Sequence, residues 1–230
     1  MSLSKKHKSL ILSCAEFSLN SYNDIKNCFK IENKMFDTIV YVIEVDDRIY
    51  ITGPGSVSLT DWSLDFQVWR TKSEIFDNSL IHAGFLKIYL SIRSALLTHL
   101  TSISLPSSKF ICTGHSLFGA ISTLIAADLT SHFDNHISCI TFGSPRVGNK
   151  HFSTFFNSNV DTSFRCVYEL DPITFSPLPI RFKHVRGHIF CNSQNISISN
   201  NFSKWNFCGC RIHHHSMDSY LSSIKHSFFT

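Results

Sequence analysis

The feature that most constrains this fold is a short apolar run that breaks on a glycine. Phe110 to Thr113 is followed by Gly114-His115-Ser116-Leu117-Phe118-Gly119-Ala120, and apolar residues continue towards Asp128. This pattern predicts a buried strand, a sharp turn and a helix. Such a turn holds the serine hydroxyl at the end of the strand, where a histidine can deprotonate it for attack on a carbonyl carbon. The pattern therefore predicts that Ser116 is a nucleophile.

The rest of the chain alternates predicted strands with predicted helices. Because several of the strands are continuously apolar, we expect a mainly parallel sheet that is covered by helices on both faces. With 230 residues, 43% of them hydrophobic and 17% charged, the chain fits a single domain spanning 1–230. Strands are predicted at 38–43, 48–52, 136–142 and 163–168, with one or two more over 182–190, and helices at the N terminus, over 82–100 and over 152–156.

Charge and hydropathy argue against two classes of function. The net charge is only +4, and lysine and arginine are scattered without forming a stripe, so we expect no nucleic-acid partner. No apolar run approaches the length of a transmembrane helix. Three lysines precede the apolar stretch 9–15, but Glu16 interrupts it at once, which favours a surface helix over a signal peptide and a cytoplasmic protein over a secreted one.

A serine nucleophile needs a histidine base that is oriented by a carboxylate. The better carboxylate is Asp171, because the predicted strand 163–168 delivers it to the correct sheet edge and Pro172 forces a turn. Glu169 is the alternative, at the end of that strand. Three histidines, 213–215, precede a predicted terminal helix, and His215 fits best at the start of that helix.

The same histidines also suggest a metal site. Cys208-Gly209-Cys210 lies just before them, and thiolates with imidazoles are ligands that zinc prefers. Structural zinc usually requires a wider Cys-x-x-Cys pair and a distant second pair. We therefore expect no metal here and keep a zinc-stabilised domain as the weaker hypothesis.

Several segments together resemble the class 3 lipase family, the fungal-lipase-like branch of the α/β-hydrolases. The family pattern GHSLGGA is matched by 114–120 except at Phe118, and F-G-x-P-R-V-G-N is matched by 142–149. H-x-G-F is matched by 82–85, and the terminal H-x-x-x-x-Y by 215–220. The aspartate motif resembles Asp171-Pro172-Ile173.

This resemblance implies an α/β-hydrolase fold and hydrolysis of acylglycerols or related lipid esters through an acyl-enzyme. It assigns Ser116 as the nucleophile, Asp171 as the orienting carboxylate and His215 as the base. The backbone N–H groups of Ser56 and Leu117 would form the oxyanion hole. No cofactor is implied.

The segment 57–66 corresponds to the helical lid of the family. Leu59, Trp62 and Phe66 fall on one helical side, with Asp61 and Asp65 on the other. The resemblance implies that the apolar side covers the cleft in water and makes transient contact with a lipid surface when open. An ordinary amphipathic surface helix has the same periodicity and stays an alternative.

Two departures from the family pattern bear on activity. Phe118 stands where the pattern has glycine, so we expect its ring to displace neighbouring atoms at a cost of about 1–3 kcal/mol. The family has F-R-G-T or F-R-G-S where this chain has Gly53-Pro54-Gly55-Ser56. These departures support a competing hypothesis, in which the chain is a catalytically impaired lipase relative that binds a lipid or a protein partner.

Overall fold

The computed structural model describes residues 3–55, 69–192, 196–198 and 212–229. Within them the chain forms ten strands and five α-helices. The strands are β1 (Phe29–Asn33), β2 (Thr38–Val45), β3 (Arg48–Thr52), β4 (Arg70–Ser73), β5 (Ser79–His82), β6 (Lys109–His115), β7 (His136–Phe142), β8 (Thr162–Tyr168), β9 (His188–Cys191) and β10 (Ile196–Ile198). The helices are α1 (Lys5–Asn20), α2 (Ala83–Ile103), α3 (Ser116–Leu129), α4 (Lys150–Asn159) and α5 (Met217–Phe229).

Eight strands form one sheet in the order β1-β2-β3-β6-β7-β8-β9-β10, and β4 pairs with β5 separately. The five strands from β3 to β9 in this order are mutually parallel. The outer pairs at both edges are antiparallel. The prediction of a mainly parallel sheet is therefore confirmed, and the carboxyl ends of β6 and β8 lie along one edge of it.

Helices cover both faces of the sheet, and each face has its own core. On one face, apolar residues of α1 and α5 pack on the sheet around Ile11, Phe142 and Tyr220. On the other, residues of α2, α3 and α4 pack around Phe85, Phe118 and Phe152. Strands β6 and β7 are buried from both sides, which explains their continuously apolar sequences.

The predicted strands at 38–43, 48–52, 136–142 and 163–168 are confirmed, as are the helices near the N terminus, over 82–100 and over 152–156. The prediction for 182–190 is wrong in extent, because only 188–191 is a strand and Lys183 makes an isolated bridge to Gly148. Strands β1, β4, β5 and β10 are not among the predicted strands. Among the described helices none is long and apolar enough to span a membrane.

A buried carboxylate fixes the far end of α3. Asp128 is 1% exposed and accepts hydrogen bonds from Arg93 Nε at 2.6 Å and Nη2 at 3.2 Å. The Tyr89 hydroxyl donates to the same carboxylate. Because Arg93 and Tyr89 both lie on α2, this network holds α2 against α3, the helix that begins at Ser116.

Candidate active site

Ser116 lies at the turn between β6 and α3, as the sequence predicts. Its φ angle is +57°, in the left-handed region that residues with a Cβ adopt at a cost of about 1–3 kcal/mol. The side chain is almost buried, with 3% of the residue exposed. A strained serine at the carboxyl end of a central strand is the geometry of a nucleophile elbow.

The structure brings Asp171 and His215 together. Asp171 follows β8 and caps the 3₁₀ turn Pro172–Phe175, where its Oδ1 accepts the Ile173 N–H at 2.9 Å. Its Oδ2 lies 2.8 Å from His215 Nδ1. Both side chains are completely buried. The pair has the geometry of the carboxylate and histidine of a catalytic triad.

Tyr220 is a third member of this cluster. Its hydroxyl donates to Asp171 Oδ2 at 2.6 Å, so that one oxygen accepts from both Tyr220 and His215. Burial, and then the charge of Asp171, raise the pKa of Tyr220 well above its usual value, which keeps the hydroxyl protonated as a donor. The motif H-x-x-x-x-Y contains this residue, but nothing in the sequence pattern indicates what its hydroxyl contacts.

These contacts determine which nitrogen of His215 is available as a base. The Asp171 carboxylate accepts a hydrogen bond from Nδ1–H, so the neutral ring carries its proton on Nδ1 and leaves Nε2 unprotonated. Among the described residues, Nε2 of His215 makes no hydrogen bond. It is therefore free to accept a proton from a nucleophile or from water.

Glu169, the alternative carboxylate, contacts a different histidine. Its Oε2 lies 3.2 Å from Nε2 of His214, the neighbour of His215. No group of three or more metal-ligating side chains occurs among the described residues. Cys208 and Cys210, on which the zinc hypothesis depends, lie outside the described residues.

Two glycines allow their loops to approach Ser116, Asp171 and His215 closely. Gly143, at the end of β7, has φ +58°, and a Cβ there would lie 2.8 Å from Asp171 Oδ2 and 3.0 Å from His215. Gly55, beyond β3, lies against the elbow, and its Cβ would be 3.0 Å from Ser116 Cβ. Side chains at these positions would displace Ser116, Asp171 or His215, so both positions require glycine.

The predicted oxyanion hole is only partly described. The N–H of Leu117 lies in the first turn of α3, where backbone donors have no partner within the helix. Ser56 lies outside the described residues, although the preceding Gly55 is placed beside Ser116. The predicted lid residues Leu59, Trp62 and Phe66 also lie outside the described residues.

Comparison with known sequences identifies the family. The sequence pattern of the class 3 lipases matches residues 50–180, more than half of the chain. The chain belongs to the class 3 lipase family. A secreted mono- and diacylglycerol lipase from Fusarium solani is 28% identical over 143 residues, which cover 60% of this chain and 42% of that protein. The chain spans about half the length of the curated lipases that it matches.

Solved lipase structures have the same fold. Lipase II from Rhizopus niveus is 23% identical and superposes with a TM-score of 0.79, covering 93% of this chain and 94% of that one. A triacylglycerol lipase with a catalytic centre formed by a serine protease triad is 22% identical, with a TM-score of 0.79 and coverage of 94% and 95%. The expected α/β-hydrolase fold is thereby confirmed.

The Phe118 ring fits this fold differently from what the sequence suggests. Its ring is 1% exposed and lies where a Cβ on Gly53 would overlap it, and a Cβ on Gly114 would be 2.7 Å away. The family pattern has phenylalanine at position 53 and glycine at 118, so the two residues are exchanged here. The expectation that the ring displaces its neighbours is wrong, because Gly53 leaves the space that the ring fills.

Two buried histidines should make the stability of this chain depend on pH. Burial lowers the pKa of His115 and of His184 well below the usual value. The unfolded chain then binds more protons than the folded one below about pH 6.5, so stability decreases as pH falls. As the pH falls from 6.5 to 5, we expect each histidine to lower the free energy of unfolding by up to about 1.4 kcal/mol per pH unit. Urea denaturation measures this change.

The variant His115→Asn provides the comparison for this prediction. It removes one of the two titrating groups, so the decrease in unfolding free energy over that pH range should be smaller than in the wild type. Equal stability at pH 7 and pH 5 in the wild type would contradict the prediction.

Proposed function

We propose that this chain is a serine carboxylic ester hydrolase that cleaves acylglycerols or related lipid esters within a single domain. The observation that carries the proposal is the buried hydrogen bond between His215 and Asp171, in a fold that presents Ser116 on a strained elbow. The relatives named mono- and diacylglycerol lipases support the substrate class.

In the proposed reaction, Ser116 Oγ attacks the ester carbonyl while Nε2 of His215 takes its proton. Asp171 stabilises the imidazolium that forms, and the Tyr220 hydroxyl holds the Asp171 carboxylate in place. The carbonyl oxygen becomes an oxyanion, which would accept hydrogen bonds from the backbone N–H groups of Leu117 and Ser56. His215 then protonates the departing alcohol, leaving an acyl-enzyme on Ser116.

Deacylation repeats these steps with water. Nε2 of His215 removes a proton from a water molecule, which attacks the acyl carbonyl, and Ser116 leaves with the proton returned by His215. The fatty acid is released without any cofactor. We also propose that the lid residues Leu59, Trp62 and Phe66 contact the lipid surface.

The proposal is tested by measuring fatty-acid release from emulsified mono-, di- and triacylglycerols and from phosphatidylcholine, with p-nitrophenyl butyrate as a soluble ester. We expect hydrolysis of the soluble ester and of at least one lipid, with Ser116→Ala as the blank. A folded wild-type protein that hydrolyses none of these esters faster than the blank would contradict the proposal. It would favour the competing hypothesis of a binding protein.

A further inference from the structure

Tyr22 makes a contact that the reaction scheme above does not use. It follows the end of α1, and although 37% of the residue is exposed, its hydroxyl points inward. The hydroxyl oxygen lies 2.6 Å from Nδ1 of His115. The backbone of Gly55 hydrogen-bonds the same hydroxyl. A Cβ at Gly55 would be only 2.5 Å from this oxygen, so the contact depends on a glycine there.

The two partners of this hydroxyl belong to two separate parts of the site. Gly55 lies in the loop after β3, which leads into the predicted oxyanion donor Ser56. His115 is the last residue of β6 and directly precedes Ser116. The His115 ring also packs on the ring of His215, with the ring centroids 4.4 Å apart. The Tyr22 hydroxyl therefore connects Gly55 with His115. His115 in turn is next to Ser116 in the chain and packs on His215.

The protonation states of Tyr22 and His115 bear on which group donates the hydrogen bond between them. Burial raises the pKa of Tyr22 to about 12, so the phenol keeps its proton. Burial, and then the nearby His215, hold the pKa of His115 well below its usual value, so this ring is neutral. We infer the tautomer with the proton on Nε2, in which Tyr22 donates to Nδ1 of His115 and accepts the N–H of Gly55.

We propose that Tyr22 is a positioning residue for ester hydrolysis: its hydroxyl ties Gly55 to His115 and thereby sets the distance between Gly55, the residue before the predicted donor Ser56, and Ser116. This inference rests on the proposed function. Tyr22 acts through Gly55 and His115, so its loss changes where the oxyanion donors lie relative to the attacked carbonyl. Donors of this kind contribute mainly in the transition state, so kcat should respond far more than KM.

The test compares Tyr22→Phe with Tyr41→Phe on p-nitrophenyl butyrate. Tyr41 lines the same cavity of about 260 Å³ beside the elbow, so its variant controls for the loss of a hydroxyl in that region. We expect Tyr22→Phe to lower kcat by about 10- to 100-fold, since a displacement of about 1 Å at a reacting group costs on the order of 100-fold. KM should stay within about twofold, and Tyr41→Phe should keep the wild-type kcat.

A second measurement does not depend on activity. Nitrogen NMR of the ¹⁵N-histidine-labelled protein should show Nδ1 of His115 as an unprotonated, hydrogen-bonded nitrogen, assigned from the signal that His115→Asn lacks. In Tyr22→Phe this resonance should move to the position of an acceptor that has lost its donor. An unchanged His115 resonance would overturn the inference.

The outcomes separate this inference from the proposed function. If the wild type turns over the ester and Tyr22→Phe keeps kcat within twofold, or loses only in KM, the inference fails alone. If the folded wild type turns over no ester, the proposed function fails and the positioning role fails with it. A fall in kcat with the NMR change supports both.

Discussion

Replacing Ser116 by alanine is expected to lower kcat on p-nitrophenyl butyrate by on the order of 10⁴- to 10⁶-fold, because no other group at the elbow can form the acyl-enzyme. Ser122→Ala is the matched control. Ser122 is a buried serine on the same helix α3, and its hydroxyl makes no hydrogen bond within the described part of the chain. This control should retain the wild-type kcat. A Ser116→Ala protein as active as Ser122→Ala would contradict the assignment.

The loss in Ser116→Ala should not come from unfolding. Alanine keeps the same strained φ of +57°, so the unfolding free energy should change by less than about 1 kcal/mol. Ser116→Gly should be equally inactive but more stable by about 1 kcal/mol, since glycine adopts this conformation without strain. Urea denaturation of both variants measures this difference. It would show that the elbow stores strain where the nucleophile stands.

Exchanging Phe118 and Gly53 is expected to show that the two residues share one space. Phe118→Gly should lose roughly 3–5 kcal/mol of unfolding free energy, because the buried ring leaves a cavity and glycine disfavours the helix. Gly53→Phe alone should also destabilise, since its Cβ would overlap both the Ile39 carbonyl oxygen and the Phe118 ring. The double variant Gly53→Phe/Phe118→Gly should recover the part of the loss that comes from the Phe118 ring but not the part that comes from the Ile39 carbonyl, as measured by urea denaturation.

The double-mutant cycle decides whether the two positions are coupled. Residues that share a cavity show interaction free energies of about 0.5–3 kcal/mol. Phe156→Gly combined with Gly53→Phe serves as the control, because Phe156 is equally buried but lies on α4 in contact with Phe152. Two results would contradict the idea that Phe118 and Gly53 share one space. One is a recovery of unfolding free energy in the Phe156→Gly/Gly53→Phe control, and the other is additive losses in Gly53→Phe/Phe118→Gly. A gain of activity in Phe118→Gly would instead favour an elbow that the ring blocks.

The predictable part of the site consists of residues whose roles follow from local pattern. Strands β6 and β8 are recognisable from short apolar runs, and Ser116 and Asp171 follow them at the sheet edge where parallel strands place reactive groups. The assignment of His215 as the base depends on its position before a terminal helix and on the family motif. The structure places it against Asp171 rather than Glu169.

The parts that escaped prediction depend on contacts between distant residues. Tyr22 and His115 are 93 positions apart, and Tyr220 and Asp171 are 49 apart, so no local pattern relates them. In the sequence, Phe118 and Gly53 are two unrelated departures from the family pattern. Only the fold shows that the Phe118 ring lies next to Gly53. Strand β4 carries only polar residues and lacks the apolar alternation that identifies a strand. In β1 the alternation covers only five residues, of which Ile31 alone is buried.

The most direct test of the central claim is covalent labelling of Ser116 by a fluorescent fluorophosphonate. If His215 and Asp171 activate Ser116 as proposed, it should be labelled stoichiometrically in the wild type. Ser116→Ala should take up no label, and Asp171→Asn should react much more slowly, because it no longer holds His215 in the required tautomer. A folded wild-type protein that stays unlabelled, or that is labelled equally in Ser116→Ala, would contradict the claim that this fold carries a working serine nucleophile.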